Sequence, residues 1–461
     1  MNENMTAKMR RFAHALVAVA AAACAASAVA GPDIQNWTAA SGARVYFVET
    51  RALPLVDIQV AFPAGGAYAP EDSAGVAGLT RSLLDAGIEG MDEQQIAEAI
   101  ADTGARVGGG ADLDMATLSL RTLSSDAERE AAVGLAARLL STPTFPPEAL
   151  ERERARSIAA LRDALTRPDT IASRGYTSAV YGDHPYGKLV TIESLQRITR
   201  DQLVAFHRAR YTAGAASVSI VGDVGRSEAE RIANRLTEGL PRGAASAALP
   251  PPQMPARVTR HIEHPSAQAH IAMGMPGISR DDPDYFPLLV GNYVLGGGGF
   301  VSRLTKEVRE KRGYAYSVYS SFQPQRVAGP FEIGLQTRGS QADEALKLTQ
   351  AVLDEFVAQG PTSDELQAAK DNMVNGFGLR LDSNRKILDY VSMIGFYELP
   401  LDWLDTYPQR VAAVTVGAVR DAFSRRIRDE NLVTIVAGGD GDTGANGAAP
   451  TPAAPKAGHG N

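Results

Sequence analysis

Residues 295–323 read LGGGGFVSRLTKEVREKRGYAYSVYSSFQ. Four glycines, Gly296, Gly297, Gly298 and Gly299, open the stretch as a loop that exposes backbone. The charged run over 300–312 predicts a helix that Gly313 breaks, and alternation over 314–323 predicts a strand. Taken residue by residue, the stretch has a plain structural reading. Arg309 lies among Lys306, Glu307, Glu310, Lys311 and Arg312, as on a solvated helix face with i,i+4 pairs such as Glu307–Lys311. Tyr316 sits where an alternating strand usually places a core residue.

Working outward, the two sides of the chain share one grammar. The first half predicts strands over 33–50 and 55–62, with Pro54 in the turn between them. Helices over 73–84 and 92–103, a strand pair over 106–123 and helices over 125–140, 148–166, 172–181 and 199–210 follow. A buried strand over 216–221 then runs into Gly222-Asp223. The second half predicts a strand over 269–275, a helix over 283–295, the quoted stretch and a strand over 329–337. Helices over 340–359, 363–380 (Ser363 as N-cap), 385–397, 400–407 and 415–427 lead to a strand over 431–437. ASVSIVGD (216–223) and NLVTIVAGGD (431–440) look like one closing strand used twice. An internal duplication of roughly 200 residues per copy accounts for this, each copy large enough for its own core. Between the copies, 243–255 is Ala- and Pro-rich and reads as an extended linker. The domains are thus 31–242 and 256–440, and the Gly/Ala/Pro tail over 441–461 reads as disordered.

The start of the chain reads as a targeting segment rather than fold. Lys8, Arg10 and Arg11 precede an Ala-rich apolar run over 12–29, and Ala28-Val29-Ala30 is a small-residue cleavage site. Ala contributes little to membrane insertion, so the run reads as a cleaved secretory signal rather than a membrane span. A periplasmic or secreted location follows. The single cysteine, Cys24, lies inside that segment, and AAAC (21–24) is a poor lipoprotein site. Cleavage after Ala30 leaves no cysteine for disulfides or thiolate metal ligands. It removes three basic residues and one acidic residue, which moves the formal charge from −7 to −9. A net-acidic chain with scattered arginines argues against nucleic acid as a partner.

A search for chemistry returns mostly absences. No His-x-x-Glu-His run presents two imidazoles on one helix face. The nearest grouping is His261, His264 and His270, where the first pair is three apart in a segment entering a strand and so points to opposite faces. His184, in a turn, and His207, on a helix near Tyr211, read as structural. There is no Gly-x-Ser-x-Gly, and the glycine run lacks the Lys-Ser/Thr of a phosphate loop.

LGGGGFVSRLTKEVREKRGYAYSVYSSF resembles the second-half signature of the M16 (pitrilysin/insulinase-type) zinc peptidases. The resemblance covers about residues 33–440, with further likeness at 176–187, Ile198-Thr199, Tyr211 and Asp282-Pro283-Asp284-Tyr285. It implies an α+β fold, with two homologous αβ domains that are each a mostly antiparallel sheet packed by helices, forming a half-chamber. It also implies that Arg309 and Tyr316, seven residues apart, reach an active site from the half that carries no zinc, and that the glycines at 296–299 form a short substrate-binding loop. The first half departs from the family. Aligned on Gly75-Val76-Ala77, the five zinc-motif positions are Gly78-Leu79-Thr80-Arg81-Ser82. The downstream glutamate ligand falls near Ala159-Ala160, after Arg152-Glu153-Arg154.

The chain is therefore expected to bind no metal or other cofactor itself. It is expected to act as the non-zinc subunit of a heterodimer that hydrolyses short unfolded peptides, the zinc lying in the partner. The alternative is a catalytically inert structural or peptide-binding protein.

Overall fold

The computed structural model describes residues 31–243 and 248–439. The leader, Cys24 and the tail over 441–461 lie outside the described residues. The first half runs β1 (Gln35–Thr38), β2 (Arg44–Glu49), β3 (Leu55–Phe62), α1 (Val76–Ser82), a short hairpin of β4 (Gly87–Ile88) and β5 (Met91–Asp92), and α2 (Glu93–Asp102). It continues through β6 (Arg106–Gly108), β7 (Ala116–Leu123), α3 (Asp126–Ser141), α4 (Pro147–Ala164), α5 (Pro168–Tyr181), α6 (Ile192–Arg197), α7 (Arg200–Arg210), β8 (Ser217–Gly222) and α8 (Arg226–Thr237). The second half runs β9 (Val258–Ile262), β10 (Gln268–Pro276), α9 (Tyr285–Asn292), β11 (Ser317–Phe322) and β12 (Pro330–Arg338). It ends with α10 (Ala342–Gln359), α11 (Ser363–Asn375), α12 (Asn384–Tyr397), α13 (Trp403–Ala413), α14 (Val416–Arg426) and β13 (Val433–Gly438).

The two sheets share one topology. The first is ordered β1-β2-β8-β3-β7-β6 and the second β11-β12-β10-β13-β9. Setting β1 aside, β2-β8-β3-β7-β6 matches β9-β13-β10-β12-β11 strand for strand. In both, the opening strand pairs in parallel with the closing strand, and every other pairing is antiparallel. The closing strands read from the sequence, β8 and β13, occupy equivalent central places.

Local chemistry sets the boundaries. Asp92 and Thr199 close capping boxes on α2 and α7. The cap of α11 is Thr362 rather than Ser363: its hydroxyl accepts from the Glu365 N–H while the Glu365 carboxylate accepts from the Thr362 N–H. That helix stops at Asn375 instead of running to 380, and 377–380 tighten into a single 3₁₀ turn flanked by glycine.

What joins the halves is an exchange of helices. α5 belongs to the first half but packs on β10 and β13 of the second. Its counterpart α12 packs on β2, β3 and β8 of the first. Tyr176 and Val180 of α5 are buried with Ala272, Val433 and Ile435, while Tyr46, Val48 and Val221 are buried in the second half's core. The central strands therefore bury both faces: every residue of β8 is buried, the polar Ser217 and Ser219 included, and so is Thr434 of β13. Close approach needs small residues: a Cβ on Gly395 would lie 2.5 Å from the Tyr46 ring and 2.9 Å from Ser217 Oγ, and one on Gly175 would lie 3.2 Å from Ile435.

A polar latch completes the joint. Asp114, buried at the end of the β6–β7 connection, accepts hydrogen bonds from the Tyr186 hydroxyl, from the Tyr397 hydroxyl (2.9 Å) and from the Arg326 N–H (2.8 Å). Arg326 and Tyr397 come from the second half, so one first-half carboxylate gathers donors from both. The Tyr176 and Tyr181 hydroxyls donate to the carbonyls of Phe331 (2.6 Å) and Ala328 (3.1 Å).

Replacing Gly395 with valine forces side-chain volume between α12 and the first sheet. We expect a loss of about 1–3 kcal/mol of stability, read as a lowered midpoint in urea unfolding, whereas Gly378→Ala, at a position with open space around it, leaves the midpoint nearly unchanged.

Candidate functional site

The quoted stretch is built differently from its sequence reading. α9 ends at Asn292, and the chain widens into a π-helical turn, Tyr293–Gly297, closed by an i→i+5 bond from the Gly298 N–H to the Tyr293 carbonyl (2.8 Å). A 3₁₀ turn, Gly299–Val301, follows, and then a second π-helical segment, Thr305–Glu310, where the Lys311 N–H reaches the Lys306 carbonyl (3.0 Å). The regular helix expected over 300–312 is thus a short wide turn. Leu304 and Val308 are buried beneath it. The first turn lies directly on β11, since a Cβ on Gly296 would lie 2.4 Å from Ser320 N and Oγ. Asn292 donates to the outward Ser320 carbonyl (3.1 Å), which closes that part of the sheet's edge. The four glycines therefore differ in kind: Gly296 is buried and packed on β11, while Gly299 is exposed at φ +62 with open space around it.

This geometry places Arg309 between two aromatic rings. Its guanidinium carbon lies 5.1 Å from the centroid of Phe300 and 5.7 Å from that of Tyr316. Both rings face solvent, Phe300 at 68% and Tyr316 at 67% exposure. Val301 and Tyr319 are exposed as well. Arg309 has no ion pair among the described residues, unlike Lys311, which pairs with Glu307 at 2.7 Å. Cation–π contact with two rings holds the charge without neutralising it, leaving its donors available. Tyr316 lies just before β11 and its N–H donates to the Gln336 carbonyl (3.0 Å), so the backbone under the ring is fixed. Phe300 was not singled out from the sequence. The available signal was an apolar pair, Phe300-Val301, interrupting an otherwise polar run directly after the glycines.

The positions aligned with a zinc motif lie on α1. Leu79, Thr80 and Arg81 are buried, Gly78 and Ser82 exposed. Arg81 is only 7% exposed, and its guanidinium donates to the carbonyls of Thr117 and Gly108 on β7 and β6. Burial pushes its pKa down. The positions of the two imidazoles and the glutamate do not reproduce a zinc site: Gly78 has no side chain, Ser82 offers only a neutral hydroxyl, and Arg81 brings a positive charge that is already committed to backbone. Ala159 and Ala160 are exposed on α4 and also offer no ligand. Among the described residues, no three His, Cys, Asp or Glu side chains converge on a point that suits a metal ion.

Comparison with known proteins agrees with this architecture. Residues 44–191 match the family model "Insulinase (Peptidase family M16)" and residues 197–373 match "Peptidase M16 inactive domain". The crystal structure of a peptidase M16 inactive domain from Pseudomonas fluorescens superposes with a TM-score of 0.85 at 40% identity, covering 88% of this chain and 98% of that one. A Helicobacter pylori protein described as a non-peptidase homolog is 25% identical over 85% of this chain and 91% of its own length. An uncharacterized zinc protease of Streptomyces coelicolor is 30% identical, matched over 54% of this chain and only 57% of its own length. The chain belongs to the M16 peptidase family. No helix among the described residues is long and apolar enough to cross a membrane.

The histidines have local roles. His184 accepts from the Tyr186 N–H and donates to Pro250 O (2.8 Å), tying the 243–255 segment to the first half. His264 donates to Thr166 O (3.0 Å), and His261 is exposed on β9. His207 is buried, stacks on Tyr211 at 4.7 Å and donates to Leu140 O (2.9 Å). Burial holds the His207 imidazole down to a pKa of about 4. Its folded pKa is below the unfolded value, so its contribution to stability is complete above about pH 6.5 and is lost as pH falls towards 4. We expect the stability of the protein to decline over that window, and a His207→Gln variant to show a flatter pH dependence in urea unfolding.

Proposed function

We propose that this chain is the zinc-free subunit of a two-chain M16 peptidase. It would supply transition-state donors and peptide-binding surface to a partner bearing His-x-x-Glu-His. Peptide hydrolysis at zinc needs a Lewis acid, a base for the attacking water and donors aimed at the developing oxyanion. Gly78 and Ser82 stand where the motif has its two imidazoles and Arg81 where it has its base, so this chain is not expected to supply the first two. The observation that carries the reading is Arg309, held between Phe300 and Tyr316 at the surface with no carboxylate to neutralise it. Such a cation, beside a phenol donor, suits an oxyanion presented by another chain. Exposed Gly299 leaves room for peptide backbone at the same place. The zinc belongs to the partner, and this chain binds no cofactor of its own. The substrates are short unfolded peptides, and the complex works in the periplasm or outside the cell after cleavage behind Ala30. The second reading, an inert structural or peptide-binding member, is favoured by the Helicobacter pylori relative described as a non-peptidase homolog.

The chain is to be purified alone and with a zinc-bearing family member encoded beside it, and peptide cleavage assayed with and without chelator. We expect no cleavage by the chain alone. In the mixed complex, Arg309→Ala or Tyr316→Phe should lower kcat about 10²–10³-fold while assembly, followed by size-exclusion chromatography, is kept. Chelator-sensitive activity of the chain alone would overturn the proposal. Full activity of both variants would favour the inert reading. Intact-mass analysis of the exported protein should give a chain that starts at Gly31, and retention of residues 1–30 would refute the cleaved signal.

A further inference from the structure

Between the two halves lies a cavity of about 920 Å³, within the ~300–1,000 Å³ range of ligand sites. One wall is the outward face of β3 and β7, with Gln59, Thr117 and Ser119, beside Gly109 and Gly110. The facing wall comes from α12, α13, the start of α9 and the 3₁₀ turn Phe377–Arg380. This cavity involves neither Arg309 nor Tyr316.

The cations lining it fall into two classes. Arg385 pairs with Asp389 (3.2 Å) and Lys386 with Asp382 (3.0 Å). Arg280 and Arg380 have no ion-pair partner among the described residues, and their side-chain hydrogen-bond partners are neutral phenols, Tyr285 for Arg280 and Tyr390 for Arg380. Arg280 lies 5.2 Å over the Tyr397 ring, and its Nε is buried without a hydrogen-bond partner. Buried Tyr407, in the same wall, also has a hydroxyl with no partner. Donors withdrawn from water and left unpaired cost free energy, so their convergence on one cavity calls for an acceptor from outside. Burial pushes the hydroxyl of Tyr285 up, while the charge of Arg280, a hydrogen bond from Arg280 and the charge of Arg380 pull it back, so both guanidiniums bear on one place. Burial also pushes the Tyr407 hydroxyl up, and it stays protonated as a donor.

Beside these donors is an aromatic floor. Trp403 is buried 5.3 Å from Tyr407, 6.0 Å from Tyr390 and 6.2 Å from Tyr285. The opposite wall offers amide and hydroxyl groups rather than further cations. Asp112 and Asp389 line the same cavity, and they oppose a ligand that is negative along its length. The charge is wanted at one end only.

We propose that this cavity binds the C-terminal end of a short peptide, with its carboxylate on Arg280 and Arg380 and its last side chain against Trp403. The site is complete within one chain, so it stands or falls independently of the two-subunit reading.

The chain has two tryptophans, so Trp37→Phe leaves Trp403 as the sole reporter. In that background the mature full-length chain is to be titrated with an alanine-rich pentapeptide ending in leucine, with the same peptide as its C-terminal amide, and with inorganic phosphate. The free acid should change Trp403 emission saturably, and the amide should bind at least tenfold more weakly. Phosphate should neither change the emission nor compete. Arg380→Gln, at the cavity rim, and Arg280→Gln should each raise Kd at least tenfold, with thermal unfolding confirming that the variants remain folded. Equal binding of acid and amide would overturn the assignment. So would competition by phosphate, no response to any peptide, or unchanged affinity in both folded variants.

Discussion

The fold depends on an exchange. Each half sends one helix, α5 or α12, across the joint to cover the sheet of the other. A sheet this apolar cannot leave one face in water, and the exchanged helices cover it. The exchange thus turns two similar halves into one structure. It imposes the two-face burial of β8 and β13, and it demands little side-chain volume where α12 meets Tyr46 and Ser217 at Gly395. It also brings polar groups into a buried seam, where each needs a partner. Asp114, with donors from Tyr186, Tyr397 and Arg326, is how that demand is met at the centre.

Against this frame the two candidate surfaces are opposites. Arg309 is displayed at the surface between two exposed rings, which stabilise the cation but leave its donors open. Arg81 is withdrawn into the first half, where the carbonyls of Thr117 and Gly108 take its donors. In one place positive charge is kept available, and in the other it is spent on joining α1 to the sheet. The cleft between the halves is a third case, where Arg280 and Arg380 line a shared space without an ion-pair partner among the described residues.

Much of this was legible in the sequence where the cause is local. Alternation marked β2 and β3, Asp92 marked the start of α2 as its cap, and two similar strings foretold that β8 and β13 hold equivalent places. Resemblance to the M16 second-half signature brought Arg309 and Tyr316 to attention, and the structure sets the guanidinium carbon 5.7 Å from the centroid of the tyrosine ring. Other features have no local cause. The charged run after the glycines has helical composition, yet packing of Gly296 on Ser320 accompanies π-helical turns in place of a regular helix. Phe300 looked like an unremarkable apolar residue because its ring meets Arg309 only through that widened backbone. The Asp114 donors lie up to 283 positions away in the chain.

By itself, the sequence determined that the zinc motif of the family is not spelled out at residues 78–82. Residue type alone decides whether a side chain can donate electrons to a metal, and Gly78, which has no side chain, and the cationic Arg81 cannot in any conformation. It determined the duplication as well, because repeated patterning survives in linear order. Only the tertiary structure decided which charges are spent and which are left open. Whether an arginine is neutralised, buried against carbonyls or held between aromatic rings depends on neighbours brought by the crossing of α5 and α12 and by the widened turns over β11. Those neighbours are set by packing across the chain, not by order along it.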